Sequence, residues 1–322
     1  MRLALIGYGK VARALARLLE AKRGAHPFVI TGILTRSGCL IGTRGIHASA
    51  VLAQAPCTVG AFLDECPCDA VAELTTLNPL DGEPAISHIR AAFARGKHVV
   101  TANKGPVAHA WHELRAEAAR RGLHFLHESA VLGGTPVFNL VRHTLPGVRV
   151  LGFAGVLNAA SQIVIAALRR GLPLEEGVRE AQRLGVAEAD PWFDLEGWDS
   201  ACKTAALANA LMGTRVTPQQ VDRKGIHQLT PEKLAALEAK GKTAALVSRA
   251  HGGRDGVKLR VRAEVLDRDD LLAAAGERRS VLVLETDLMG SVGVFSKAAG
   301  PGQTAYGVFA DLMEIARATG AA

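Results

Sequence analysis

Arg2-Leu3-Ala4-Leu5-Ile6-Gly7-Tyr8-Gly9-Lys10-Val11-Ala12 opens the chain, and its reading decides the fold. The apolar run Arg2 to Ile6 has the length of a buried strand. From Lys10 to Lys22 the apolar residues Val11, Ala14, Leu15, Leu18 and Leu19 recur at helical spacing. Between strand and helix lies a G-x-G-x-x-A loop. Gly7 permits the tight turn, Gly9 lets the backbone approach a pyrophosphate, and the small Ala12 permits close packing of helix on sheet. The helix N-terminus then favours phosphate charge. The loop predicts a dinucleotide site at Gly7, Gly9, Lys10 and Val11.

The pattern outward from this loop supports that reading. Strands are expected over Phe28 to Leu34, Ala70 to Leu74, His98 to Thr101 and Leu123 to His127, and helices over Ile86 to Arg95 and Trp111 to Arg121. Strand alternating with helix predicts an α/β fold, a Rossmann-type doubly wound parallel sheet, over residues 1–130. After about residue 130 the pattern changes. Val148 to Leu157, Val257 to Val265 and Ser280 to Leu288 read as strands, with a polar turn over His251 to Asp255. Ile163 to Arg169 and Ser200 to Met212 read as helical, and Thr230-Pro231 as a helix start. Residues 131–302 are therefore expected to form a second, α+β domain. Thr304 to Ala316 reads as a final amphipathic helix within residues 303–322.

Composition narrows the function classes. The 322 residues are 48% hydrophobic and 21% charged, which suits a packed globular protein and not a disordered polyelectrolyte. No apolar stretch approaches the roughly 18 residues of a membrane span, and the first strand begins with no signal peptide ahead of it. The net charge of +7 comes from 38 basic and 31 acidic residues. The basic residues are scattered and aromatics are only 4%, so a stripe for nucleic acid is lacking. An anionic small molecule is the expected partner, with neither nucleic acid nor membrane. Cys39, Cys57, Cys66, Cys68 and Cys202 are odd in number and irregularly spaced, as expected of reduced thiols in a cytoplasm.

Other segments carry the chemistry. The second strand ends in Leu34-Thr35-Arg36-Ser37-Gly38, without the acid that usually binds the ribose of NAD. Arg36 and Ser37 instead suit a 2′-phosphate, which favours NADP with NAD as the alternative. Thr101-Ala102-Asn103-Lys104 follows a strand whose carboxyl end faces the ligand crevice. In Glu128-Ser129-Ala130-Val131-Leu132-Gly133-Gly134-Thr135-Pro136, the Glu128 carboxylate and exposed backbone carbonyls suit a hard cation, or equally a hinge of small residues. The densest signal is the acidic loop with Glu188, Asp190, Asp194, Glu196 and Asp199. Asp199 and Lys203, four apart, share one helix face. On spacing alone this fits a carboxylate orienting a proton-donating ammonium and an acidic helix start equally well.

Taken together these residues resemble homoserine dehydrogenase. The likeness rests on Gly7-x-Gly9, Glu73-Leu74-Thr75-Thr76 with Gly82-Glu83-Pro84, Thr101 to Lys104, Glu128 to Pro136, Gly300-Pro301-Gly302, and above all Glu188-x-Asp190-Pro191-x-x-Asp194-x-x-Gly197-x-Asp199-x-x-x-Lys203. It runs nearly end to end and corresponds to a short form without a regulatory amino-acid-sensing (ACT) domain. The resemblance implies reversible reduction of aspartate 4-semialdehyde to L-homoserine by NADPH or NADH, on the biosynthetic route to threonine and methionine. By this likeness Lys203 moves the proton, Lys104 assists, and Asp199 orients the substrate or Lys203. Glu188 and Asp194 hold the substrate ammonium, and Asn158 and Gly155 belong to the substrate segment. Thr75, Thr76, Asn103 and Gly302 join Arg36 at the cofactor. Glu128 with the carbonyls of Val131, Gly133 and Thr135 matches a monovalent-cation site such as one for sodium. A homodimer through the second domain is also implied.

One segment departs from the family pattern Gly-x-x-Asn-Gly-Thr-Thr-Asn-Tyr. Here it reads Gly155-Val156-Leu157-Asn158-Ala159-Ala160-Ser161-Gln162-Ile163. The hydroxyl expected at 160 and the tyrosine at 163 are missing, and Ser161 is the nearest hydroxyl to replace them. Loss of one hydrogen bond to a charged group costs about 1.5–3 kcal/mol. Substrate identity is thus less tightly specified than reaction type, and another small polar hydroxy or oxo acid is the alternative. A non-catalytic nucleotide sensor would have lost the Asp199 and Lys203 pair.

Overall fold

The computed structural model describes residues 1–51, 56–184, 186–187, 191–253, 256–276, 279–297 and 300–321. The chain divides into two compact units, Met1–Phe138 with Gly300–Ala322, and Asn139–Ala299.

The first unit is built on β1 (Arg2–Ile6), α1 (Lys10–Ala21), β2 (Val29–Thr35), β3 (Gly38–Ile41), α2 (Val59–Glu65), β4 (Ala70–Glu73), α3 (Ala85–Ala94), β5 (His98–Thr101), α4 (Lys104–Arg120), β6 (Phe125–Leu126) and α5 (Ser129–Leu132). Its sheet runs β3-β2-β1-β4-β5-β6. All neighbours are parallel except β2 and β3, which pair antiparallel. The predicted doubly wound sheet is therefore present. β3 and α2 were not read from the sequence. Gly38–Ile41 pairs only along the sheet edge, and α2 is one short helix with Thr58 capping Ala61 N–H.

Helix boundaries follow side-chain caps. The fourth helix begins at Lys104, seven residues ahead of the expected Trp111, because Asn103 Oδ1 accepts from Gly105 N–H at 3.0 Å. The backbone bends at Ala110, whose φ of −141° is not helical. That bend hides the first turns from a periodicity reading.

The second unit contains β7 (Val150–Val156), α6 (Ala159–Arg169), α7 (Leu174–Arg183), α8 (Trp192–Leu195), α9 (Trp198–Met212), β8 (Asp222–Arg223), α10 (Pro231–Glu238), β9 (Lys242–Gly253), β10 (Gly256–Asp267), β11 (Arg279–Thr286) and β12 (Ser291–Lys297). Its sheet, ordered β12-β11-β7-β9-β10-β8, is antiparallel apart from the β10–β8 pair. Helices α6 and α9 pack on it. The twelve-residue β9 was missed because its run of alanines lacks strand propensity, while its antiparallel pairing with β10 is a tertiary contact. It runs through His251 to Gly253, where a polar turn was expected, and residues 254 and 255 lie outside the described residues.

α11 (Pro301–Ala318) returns to the first unit. Ala305, Val308, Leu312, Ile315 and Ala316 join Leu3, Leu5 and Leu15 in one core. Close approach fixes its seat. A Cβ at Gly307 would lie 3.0 Å from Gly134 Cα and nearer still to Ser129 Oγ, which itself donates to Thr304 O at 2.7 Å. Gly307→Ala is expected to destabilise the protein by about 1–3 kcal/mol through overpacking. Thermal melting checks this, and an unchanged midpoint would contradict the packing argument.

Candidate active site

The first unit carries a cleft of about 540 Å³ lined by Gly7, Tyr8, Gly9, Arg36, Thr75, Thr76 and His88, among others. Its shape follows from backbone contacts. Gly7 N–H donates to Leu34 O at 2.8 Å, which ties the loop to the end of β2. Gly7 has φ +92°, and a Cβ there would sit 2.6 Å from Leu74 O, so only glycine fits. At Gly9 a Cβ would meet nothing within 4 Å. The backbone there is open to a ligand, at the N-cap of α1. This open cradle fits the phosphates of a dinucleotide.

Arg36 is exposed on the cleft wall, and no acid stands beside it in Thr35-Arg36-Ser37. Lys10 is exposed and Val11 half-buried at the start of α1. Asn103 lies behind Thr75 and Thr76. Its Nδ2 donates to their carbonyls at 3.3 and 3.4 Å, and its Oδ1 caps α4. Asn103 therefore acts through the Thr75-Thr76 backbone. Lys104 is half-buried at the first position of α4.

In the second unit a polar cluster forms where β7 ends and α9 begins. Lys203 Nζ donates to Leu157 O at 2.7 Å and to Asp199 Oδ2 at 2.6 Å. Asn158 Nδ2 donates to Asp199 Oδ2 at 2.9 Å and to Asp194 Oδ1 at 2.7 Å. The Lys203 and Asp199 side chains are 13% and 14% exposed. A largely buried ion pair contributes little net stability over an apolar replacement, so stability alone does not account for it. Lys203, Asp199, Asp194 and Asn158 thus come together, as the sequence reading expected. Glu188 and Asp190 lie outside the described residues.

Two family profiles match the chain. The profile for homoserine dehydrogenase covers residues 136–313, and that for the homoserine dehydrogenase NAD binding domain covers residues 7–128. An NAD(+)-dependent homoserine dehydrogenase of Pseudomonas canavaninivorans is 35% identical, over 98% of this chain and 96% of its own. The homoserine dehydrogenase of Methanocaldococcus jannaschii is 33% identical over 99% of both chains. A solved structure of a putative homoserine dehydrogenase from Archaeoglobus fulgidus superposes with a TM-score of 0.87 at 29% identity, covering 98% of this chain and 99% of that one. The chain belongs to the homoserine dehydrogenase family.

For a homoserine dehydrogenase the segment at 155–163 is altered, and the structure shows what became of it. Gly155 lies within β7, where a Cβ would meet Val281 O at 2.9 Å, so packing against β11 accounts for this glycine. Asn158 caps α6, its Oδ1 accepting from Ser161 N–H at 2.7 Å. That cap starts the helix at Ala159, earlier than the expected Ile163. Ser161 is fully buried and its hydroxyl donates to Asn158 O at 3.0 Å. It is therefore engaged locally and does not replace the hydroxyl missing at Ala160. Ile163 is buried.

At the cation segment, Glu128 Oε1 accepts from Val137 N–H at 2.5 Å and Phe138 N–H at 3.1 Å. Asp311 Oδ2 accepts from Glu128 N–H at 2.8 Å. Val131 and Thr135 are buried, and Gly133 turns the chain with φ +59°. Gly302 is exposed in the first turn of α11 and does not line the Gly7 cleft. His127 Nε2 accepts from Trp111 Nε1 at 2.9 Å, which removes that nitrogen from any metal. No helix among the described residues is long and apolar enough to cross a membrane.

The sequence reading gave no role to two residues, although it counted Glu73 in a crevice segment of the resemblance and passed over His88. Glu73, fully buried, and His88, on the cleft wall, flank the same crevice.

Gly9→Asp supplies a direct check of the phosphate cradle. Asp suits an N-cap, and a Cβ at this position meets nothing within 4 Å, so the melting temperature is expected to hold. Its carboxylate faces the phosphates, so NADPH affinity is expected to fall about tenfold or more, read by nucleotide fluorescence. Undiminished binding would remove the dinucleotide from this cleft.

Proposed function

We propose that this chain interconverts aspartate 4-semialdehyde and L-homoserine, with Lys203 moving the proton. The observation that carries the reading is the Lys203 ammonium, held by one carbonyl and one carboxylate. An ammonium has three N–H donors. Two are engaged, which leaves one for a substrate oxygen.

When bound, the reduced nicotinamide supplies a hydride to the aldehyde carbon. Lys203 Nζ gives a proton to the aldehyde oxygen as negative charge develops there, completing the alcohol, and recovers a proton from solvent. In reverse the neutral amine takes the hydroxyl proton. Asp199 fixes the amine, and Asn158 fixes Asp199 and Asp194 with one amide. Asp194 and Glu188 receive the substrate ammonium, and Lys104 assists at the reacting oxygen. Gly7, Gly9, Lys10 and Val11 hold the dinucleotide phosphates, with Thr75 and Thr76 lining the same cleft.

NADP is the preferred cofactor in this reading, supported by exposed Arg36 on the cleft and the missing acid. The printed name of the Pseudomonas canavaninivorans relative favours NAD as a second reading. Glu128 with the carbonyls of Val131, Gly133 and Thr135 offers an all-oxygen donor set suited to sodium, which would brace the turn after α5. The homodimer reading draws support from an apolar patch on the second unit. Phe295 and Leu271 there are 74% and 69% exposed beside Val281 and Val283, enough for a second copy to cover.

Lys203→Ala is expected to lower kcat by about 100-fold or more while NADPH affinity stays near wild type. Equal turnover in the variant would remove Lys203 from the chemistry. Arg36→Ala is expected to weaken NADPH about tenfold and leave NADH unchanged, since a guanidinium–phosphate contact is charge-assisted. Equal effects on both would support the NAD reading. Ala160, Ile163 and the engaged Ser161 favour a second substrate reading. NADPH oxidation with aspartate semialdehyde, beside related oxo acids, decides it: turnover of another oxo acid alone would replace the leading substrate.

A further inference from the structure

Glu73 ends β4 beside Ile6, the residue before the phosphate loop. Its carboxylate is fully buried and joins two cofactor-facing segments. Oε1 accepts from Thr75 N–H at 3.1 Å and from the Thr75 hydroxyl. Oε2 accepts from the Thr101 hydroxyl at 3.1 Å, which in turn accepts from Asn103 N–H at 3.0 Å. A buried carboxylate next to a site for phosphates is unfavourable unless something stands between them. Among the described residues the one basic side chain within ion-pair distance of Glu73 is His88, with Nδ1 3.6 Å from Oε1. That nitrogen is buried and makes no hydrogen bond of its own in this structure. The His88 ring lines the same cleft as Gly7, Gly9 and Arg36.

We propose that His88 binds the dinucleotide and that Glu73 positions it. A carboxylate facing Nδ1 selects the Nδ1–H tautomer. In that tautomer Nε2 is the acceptor, and the ligand chemistry that matches is a sugar hydroxyl, which the dinucleotide carries on its riboses. The arrangement also explains why the Thr75 hydroxyl is turned inward to Glu73, away from ligand. This rests on the placement of the dinucleotide in this cleft.

The test combines ring NMR with NADPH binding on the full chain. In the wild type, His88 nitrogen shifts are expected to show Nδ1–H. In Glu73→Leu, which removes the acceptor facing Nδ1, the preference for Nδ1–H is expected to be lost. Glu73→Leu and His88→Ala are each expected to weaken NADPH about five- to tenfold, the scale of one neutral hydrogen bond, with kcat at saturating NADPH nearly unchanged. The double variant is expected to be no weaker than His88→Ala alone, because one residue acts through the other. His88→Gln, which keeps an acceptor at the Nε2 position, is expected to retain most affinity and serves if the alanine variant fails to fold. Wild-type affinity in His88→Ala, additive losses in the double variant, or an Nε2–H ring in the wild type would each overturn the proposal. If Gly9→Asp also binds normally, the fault lies in the cofactor placement; if Gly9→Asp binds weakly, it lies with His88.

Discussion

An ammonium group secured by a backbone carbonyl and a carboxylate is the interaction on which the polar cluster of the second unit is built. Lys203 reaches from α9 to the end of β7, and the bond to Leu157 O links helix to strand. Asp199 Oδ2 accepts from both Lys203 and Asn158, and Asn158 also holds Asp194 and caps α6. One buried asparagine therefore sets the start of a helix and the direction of two acids. Such a network is worth having only if complete, because an unpaired charge in a site of low dielectric is costly.

The first unit presents the opposite character, a cleft suited to an anion. Its wall there is backbone: a glycine at positive φ and an open N-cap, with the neighbouring Thr75-Thr76 segment held in place by Asn103. Glu73 braces the crevice from below, through Thr75 and Thr101. Arg36 is an exposed side chain on the same cleft. The division is physically sensible, since backbone donors cannot be lost by a side-chain substitution.

The departure at residues 158–163 shows how far motif reading carries. Asn158 serves as helix cap and acid clamp together. Ala160 and Ile163 carry no such double duty. Ser161 looked like a replacement hydroxyl on paper, yet its oxygen faces the preceding carbonyl inside the helix turn. A hydroxyl in a sequence says nothing about which acceptor it has found.

The sequence by itself determined the alternation of strand and helix, the phosphate loop, and the shared helix face of Asp199 and Lys203. Each is local, fixed by periodicity, glycine geometry or a four-residue spacing. Only the tertiary structure decided the rest. β9 became a strand because β10 lies beside it, and α11 belongs to the first core because Gly307 and Gly134 allow it to approach. Asn103 turned out to hold backbone, Gly155 to serve packing, and Glu73 to face His88. Those roles arise from contacts between residues far apart in the chain, and no spacing within one segment encodes them.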